Sequence, residues 1–373
     1  MKNQSIIKDS SFVKTIKQNM YKWHRTLGII TIIPVIFWTM SGIMHPLMAH
    51  FLKPEIAHEK LEIQPIDSLQ IKFSIQEVLK INKLDVFKNF RLVSFNSKTY
   101  YQIKNIFGDY QYFDATNSKE LKNGVQKYAE YLSRYFLEDS KSKVSKIEVI
   151  TEFSSQYKYI NRYLPVYKLT FDRDDAMEIY VETSSSKLAT FNPKSRQIFI
   201  WIFDTFHNWS FVDAISNNYL RIITMLLFLS IILFSAISGI VIYGFMWKKF
   251  KKVTPTNSEG FLRKNHRKIG IMVSFLTLTF AFSGGFHATQ KWQPNHLPKM
   301  IYEPLINVSD LPIASTKLNI NYSQLTNISV IKFKKDFYFQ CSLFNSETEE
   351  KSMIYIDSKS NKGENIEIGR AHV

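Results

Sequence analysis

"HRTLGIITIIPVIFWTMSGIMH", residues 24–45, is an apolar stretch with a histidine at each end. A second version follows much later in the chain, "HRKIGIMVSFLTLTFAFSGGFH", residues 266–287. Laid on each other without a gap, His24 meets His266 and Arg25 meets Arg267. Gly28 and Ile29 meet Gly270 and Ile271, Ser41 and Gly42 meet Ser283 and Gly284, and His45 meets His287. The apolar residues between differ almost everywhere. The two stretches are copies of one unit, in which the polar and small positions recur.

The 373 residues hold three long apolar runs, at about 26–49, 222–246 and 268–290. Each is long enough to cross a bilayer, which takes roughly 20 residues of helix. The low hydropathy of the whole chain makes the remainder water-facing. The first run is too long for the apolar core of a signal peptide and lacks a small-x-small cleavage site, so it reads as an uncleaved anchor. The division is then a basic tail (1–23), a first span (24–49), a large region (50–218), a second span (219–246), a basic loop (247–267), a third span (268–290) and a closing region (291–373).

Charge sets the expected orientation. Residues 1–25 carry Lys2, Lys8, Lys14, Lys17, Lys22 and Arg25 against Asp9, and the link "WKKFKKVTPTNSEGFLRKNHRK" carries eight basic residues against Glu259. Positive segments stay on the cytoplasmic side. The N-terminus and the 247–267 loop are expected inside a bacterial plasma membrane, with 50–218 and the closing region outside. Much of the net charge of +16 is this topology signal. The lysines flank spans and form no groove, so nucleic acid is not an expected partner; membrane lipid is. The single cysteine, Cys341, rules out an intrachain disulfide and a cysteine metal cage. Its plain reading is a small apolar residue in a strand.

The large region reads as α+β. "SIQEVLKI" (74–81) and "GVQKYAEYLSRYFL" (124–137) have helical spacing, and alternating runs follow each. These are "FRLVSF", "TYYQIKNI" and "YQYFDA", then "KIEVI", "VYKLTF" and "MEIYVE", with polar turns between them. The pattern returns after the third run in "ISVIKF", "FYFQCSLF" and "SMIYIDSKSNKG". One span, an outer sheet region and a return span make a half. The second half begins near residue 262 without a second sheet unit or a return span. A fourth span from a longer chain, or a homo-oligomer, is the expectation that this plan raises.

Several stretches together resemble the PepSY-associated transmembrane helix family of bacterial membrane proteins. They are "WHRTLGI" with "SGIMHPL", the PepSY-like "YLPVYKLTFDRDDAMEIYVETSSSKLA" (163–189), "FDTFHNWSF" and "SGIVIYGFMWKK". The resemblance implies extracytoplasmic α+β PepSY units on a bundle of spans, usually four. It also implies a link to iron uptake, since some members resemble haem-containing reductases of ferric siderophores.

The histidines carry the chemistry. Twenty-one residues of helix rise about 32 Å, close to a hydrocarbon core of about 30 Å. Each span therefore has a histidine near either rim, on one face within about 60°. The first and third spans run the same way, so His24 can face His266 near the inner rim and His45 can face His287 near the outer rim. Paired imidazoles are an axial set for b-type haem, one or two per chain. Gly28, Gly42, Gly270 and Gly284 lie one turn from these ligands, where a flat macrocycle needs small neighbours. Arg25 and Arg267 suit haem propionates. His207 in "WIFDTFHNWSFV" is a further candidate ligand.

Each feature also has a plainer reading: glycines as helix-packing sites, arginines as ordinary anchors, rim histidines as interfacial residues. The matched four-fold set favours ligation, because ionisable residues inside a span are functional by default. His50, His58, His296 and His372 read as solvated, Pro34 as a tolerated kink, and Asp172, Asp174 and Asp175 as turn formers. No phosphate loop, dinucleotide fingerprint or zinc-protease motif stands out. The electron donor would then be a cytoplasmic protein or a quinol, and the acceptor a ferric siderophore. The alternative is a non-catalytic membrane protein whose PepSY units bind a partner or restrain an extracytoplasmic protease.

Overall fold

The computed structural model describes residues 11–51, 53–213, 215, 218–252, 258–290 and 303–364. In chain order these form α1 (Ser11–His50), α2 (Ile75–Ile81), β1 (Val86–Phe87), β2 (Asn89–Phe95), β3 (Lys98–Lys104) and β4 (Tyr110–Asp114). Then come α3 (Gly124–Leu137), β5 (Lys143–Ile150), β6 (Val166–Asp172), β7 (Glu178–Glu182), β8 (Lys187–Asn192) and α4 (Lys194–Ile202). The chain continues as α5 (Asn218–Lys252), α6 (Ser258–Gln290), β9 (Ile306–Asn307), β10 (Leu325–Phe333), β11 (Asp336–Asn345), β12 (Glu350–Asp357) and β13 (Gly363–Glu364). Two compact units result. One takes residues 1–53 and 198–298, the other 54–197 and 299–373.

The first unit is helical. Its long helices hold three stretches apolar and long enough to cross a membrane: Gln18–His50, Asn218–Gly244 and Gly260–Gln290. Their surfaces are dominated by exposed Ile, Leu, Phe and Val, which is what a lipid-facing helix presents. α5 packs against both α1 and α6, while α1 and α6 share little contact of their own. Leu229 and Ile232 of α5, Ala281 of α6 and the half-buried Trp38 of α1 form one apolar cluster.

The second unit is α+β, as the alternation predicts. Ser74 caps α2 reciprocally: its amide donates to the Glu77 carboxylate at 2.7 Å and its hydroxyl accepts from the Glu77 amide. The expected strands pair as antiparallel sheets in the orders β2-β3-β4, β5-β6-β7-β8 and β10-β11-β12-β13. β8 and α4 escape sequence reading. "KLATFN" alternates weakly, and it becomes a strand through its pairing with β7. Asp175 sits in the 172–177 turn as a turn former, accepting from the Met177 amide and pairing with Arg173. Cys341 is buried in β11.

The middle sheet β2-β3-β4 is buried on both faces, because alternate residues point oppositely. Phe90, Leu92, Tyr101, Ile103 and Phe113 enter a core with α2 and with Ile328, Val330, Phe339 and Cys341. Val93, Phe95, Tyr100 and Tyr112 enter a second core with Tyr128, Leu132 and Phe136 of α3 and with Leu169 and Ile179. The C-terminal strands therefore cover the first sheet unit. β9 pairs with β1, and the Leu92 amide donates to Asn327 Oδ1 at 3.1 Å. Residues within 54–197 and 303–364, which lie in separate regions of the sequence, share a core in the fold. The repeat pattern carries no signal of this, since long-range packing leaves no periodicity.

Candidate histidine site among the membrane helices

His24 and His266, more than 240 residues apart in sequence, have ring centroids 6.2 Å apart with planes at 47°. α5 holds the His24 ring. Its Nδ1 lies 2.9 Å from the Ser235 carbonyl oxygen and 3.2 Å from Ser238 Oγ. A carbonyl only accepts, so Nδ1 carries the hydrogen and Nε2 carries the lone pair. Ser238 is fully buried and spends its own proton on Ser235 O at 2.8 Å. The ring lies flat enough on α5 that a Cβ at Gly239 would stand 2.9 Å from His24 Cε1. Only glycine leaves that room.

Glycine plays a different part at the matched positions. A Cβ at Gly28, Gly42 or Gly270 would meet nothing within 4 Å, so these are open notches rather than packing contacts. Gly28 and Gly270 each lie four residues, one helical turn, after their histidine. Gly284 packs in the ordinary way against Leu229, at 3.5 Å. Arg25 is exposed next to His24, and Arg267 is half-buried beside His266 and engaged by neighbours.

The outer pair is not assembled. The ring contact of His45 is with Phe203 at 5.7 Å and that of His287 is with Phe286 at 6.1 Å; the two imidazoles do not meet. The segment before α5 packs along α1. A π-helical turn, Phe203–His207, follows α4 directly. Phe206 packs on Phe37 at 4.9 Å, Trp209 stacks on Trp38 at 5.1 Å, and Trp38 Nε1 donates to the His207 carbonyl at 2.9 Å. His207 stacks on Phe203 at 4.4 Å, and its Nδ1 is 3.1 Å from Ser41 Oγ. The Ser41 proton goes to the Phe37 carbonyl at 2.6 Å, so here too Nδ1 is the donor. His45 and His207 thus both contact one phenyl ring near the C-terminal end of α1.

Other histidines behave as expected or lie elsewhere. His58 stacks on Tyr135 at 4.8 Å in the second unit, and His50 is exposed at the end of α1. His296 and His372 lie outside the described residues. Among the described residues no group of three His, Cys, Asp or Glu side chains could hold a metal ion.

The residues therefore offer a two-donor set. With metal–imidazole bonds of about 2 Å, two imidazoles on opposite sides of one metal have ring centroids roughly 6 Å apart, and His24 and His266 meet that spacing. Two donors suit a metal whose other ligands come from a macrocycle. The unfilled notches at Gly28 and Gly270 suit a flat group. Sequence reasoning missed Ser235, Ser238 and Gly239, which set the His24 ring. The available signal was a third Ser-Gly pair, 238–239, in the second span, echoing 41–42 and 283–284.

A family model described as the PepSY-associated TM region matches residues 113–309, from β4 through α3, the β5–β8 sheet, α5 and α6 to β9. No curated protein and no solved structure matches the chain.

Proposed function

Since this chain belongs to the PepSY-associated TM family and is a multi-pass integral membrane protein in contact with lipid, we propose that it binds b-type haem between His24 and His266 and passes electrons across the bilayer. The observation that carries this reading is the His24–His266 pair at 6.2 Å, with His24 Nδ1 committed to the Ser235 carbonyl. A hydrogen bond from the non-ligating ring nitrogen fixes the tautomer and raises the basicity of the other, as outer-shell partners do for metal-bound histidine. Haem iron would supply a one-electron centre, its potential set by axial ligands, hydrogen bonding and burial. Ser235 and Ser238 orient the His24 ring and Gly239 admits it to the helix surface; His24 and His266 would hold the haem, with Gly28 and Gly270 one turn along from them. Arg25 and Arg267, each next in the chain to one of the two histidines, would be the residues to meet carboxylates of a propionate-bearing group.

Under this proposal the basic tail and the 247–267 loop face the cytoplasm, and the α+β unit faces outward. A quinol or a cytoplasmic protein donates, and a ferric siderophore is the acceptor that the family resemblance suggests. His45 and His207, around Phe203, are the candidates for a second haem position.

The test is the absorbance of the full chain purified from haem-replete cells. A Soret band with reduced α and β bands of a six-coordinate low-spin haem is expected. Protein that is folded yet shows no Soret band after incubation with hemin would remove the electron-transfer reading and leave the PepSY unit as a partner-binding module.

A further inference from the structure

The α+β unit carries an ordered loop whose exposed residues do not suit water. Residues 151–165, between β5 and β6, are bolted down from within. Tyr157 is fully buried, stacks on Tyr180 at 5.0 Å and on Phe153 at 5.7 Å, and its hydroxyl donates to the Tyr163 carbonyl at 2.7 Å. The Tyr157 amide and carbonyl both bond Ser154. On this fixed base the chain turns outward at "KYINR", 158–162. Ile160 is 81% exposed and Tyr159 55% exposed, with Lys158 before them and exposed Arg162 after them. Lys187 adds a further cation over the Tyr163 ring, at 5.4 Å.

The same loop is tied to the chain that enters the membrane. The Gln156 side-chain amide donates to the Gln197 carbonyl at 3.2 Å, and Asn192 Nδ2 donates to the Gln156 carbonyl at 2.9 Å. Gln197 lies in α4, where Ile198 and Trp201 are also exposed. Some twenty residues further the apolar α5 begins, at Asn218. An aliphatic and an aromatic tip between cations is the composition that settles at the headgroup–acyl boundary, where amphipathic rings sit and Lys and Arg meet lipid phosphate.

We propose that the 158–162 loop is a membrane-surface anchor of the α+β unit, with Ile160 and Tyr159 entering the interfacial layer and Lys158 and Arg162 on anionic headgroups. It is independent of haem, so it stands or falls apart from the function proposed above.

The test uses the full chain carrying Ile160→Cys, labelled with an environment-sensitive fluorophore. Native Cys341 does not compete, because it is buried and burial pushes its thiol up to about 12. Glu347→Cys, in the exposed β11–β12 turn, is the control. The chain is placed in nanodiscs of phosphatidylethanolamine and phosphatidylglycerol, with and without brominated acyl chains. The expected result is a blue-shifted emission at position 160 that brominated lipid quenches, with neither effect at 347. Replacing Lys158 and Arg162 together by Gln should reduce the quenching where phosphatidylglycerol is present and leave it unchanged in its absence. A probe at 160 with the emission of the 347 control overturns the proposal. So does a blue shift that brominated lipid fails to quench, since that places the loop against protein.

Discussion

α1 and α6 carry the same residues at the same spacing, and the fold treats them differently. Within α1, at residue 24, the imidazole is seated, with Nδ1 on Ser235, its ring over Gly239 and His266 alongside. In α6 the matching His266 is exposed apart from that one ring contact. Near residue 45 the asymmetry takes another form. Ser41 of α1 is buried and tied to His207, while its mate Ser283 in α6 is exposed. The difference comes from what lies against each helix. α1 is flanked by α5 and by the Phe203–His207 turn, whereas among the described residues α6 packs chiefly on α5. Duplication supplies matched histidines; neighbours decide which of them are positioned.

The largest effect separates a shared site from two independent histidines. His24→Ala and His266→Ala should each abolish the same haem component, read as the loss of one set of reduced α and β bands per chain. His287→Ala should leave that component intact. If His266→Ala keeps full occupancy and unchanged bands while His24→Ala loses them, the α1–α6 pairing fails and α1 alone holds the group.

The second effect sets a glycine of the membrane helices that has a close neighbour against one without. Gly239→Ala puts a methyl 2.9 Å from His24 Cε1. Overpacking of this kind costs about 1–3 kcal/mol, and here the strain falls on the ligand ring, so haem content should drop along with thermal stability. Gly28→Ala meets nothing within 4 Å. In haem-free protein it should stabilise α1, since Ala exceeds Gly by about 1 kcal/mol in a helix interior. In haem-loaded protein the same methyl should lower affinity. Melting curves of both variants, with and without hemin, read the sign directly. A Gly28→Ala chain stabilised equally in both states would mean that nothing lies in that notch.

Much of this was legible in the sequence, for stated reasons. The three spans follow from apolar length, the strands of the second unit from alternation, and the matched histidines from the repeat. The approach of His24 to His266 follows from parallel spans. The seat of His24 did not, because Ser235, Ser238 and Gly239 look like any small residues in a span until a ring lies on them. The separation of His45 from His287 was equally hidden. So was the packing of "FDTFHNWSF" on α1, because a π-helical turn has no periodic signature. The packing of β10–β13 over β2–β4 was hidden by its range, since Asn327 and Leu92 are 235 positions apart.

The smallest effect tests the outer asymmetry without any cofactor. Ser41→Ala removes the acceptor of the His207 Nδ1–H, at 3.1 Å. Trp38 Nε1 still holds the His207 carbonyl, so the turn stays in place, and the bond lost between segments is the one to His207, beside the hydroxyl's local bond to the Phe37 carbonyl. A net loss of about 0.5–1.5 kcal/mol is the usual worth of such a bond. It is partly offset by the better helix propensity of Ala, by a few tenths of a kcal/mol. Ser283→Ala has no such bond to lose, so propensity alone acts and the variant should be neutral or slightly stabilised. Thermal unfolding of both variants in one detergent gives opposite signs if the two copies are held as described. Equal shifts would mean that Ser41 adds nothing to the seat of His207, and that Trp38 and the aromatic stack alone fix the turn against α1.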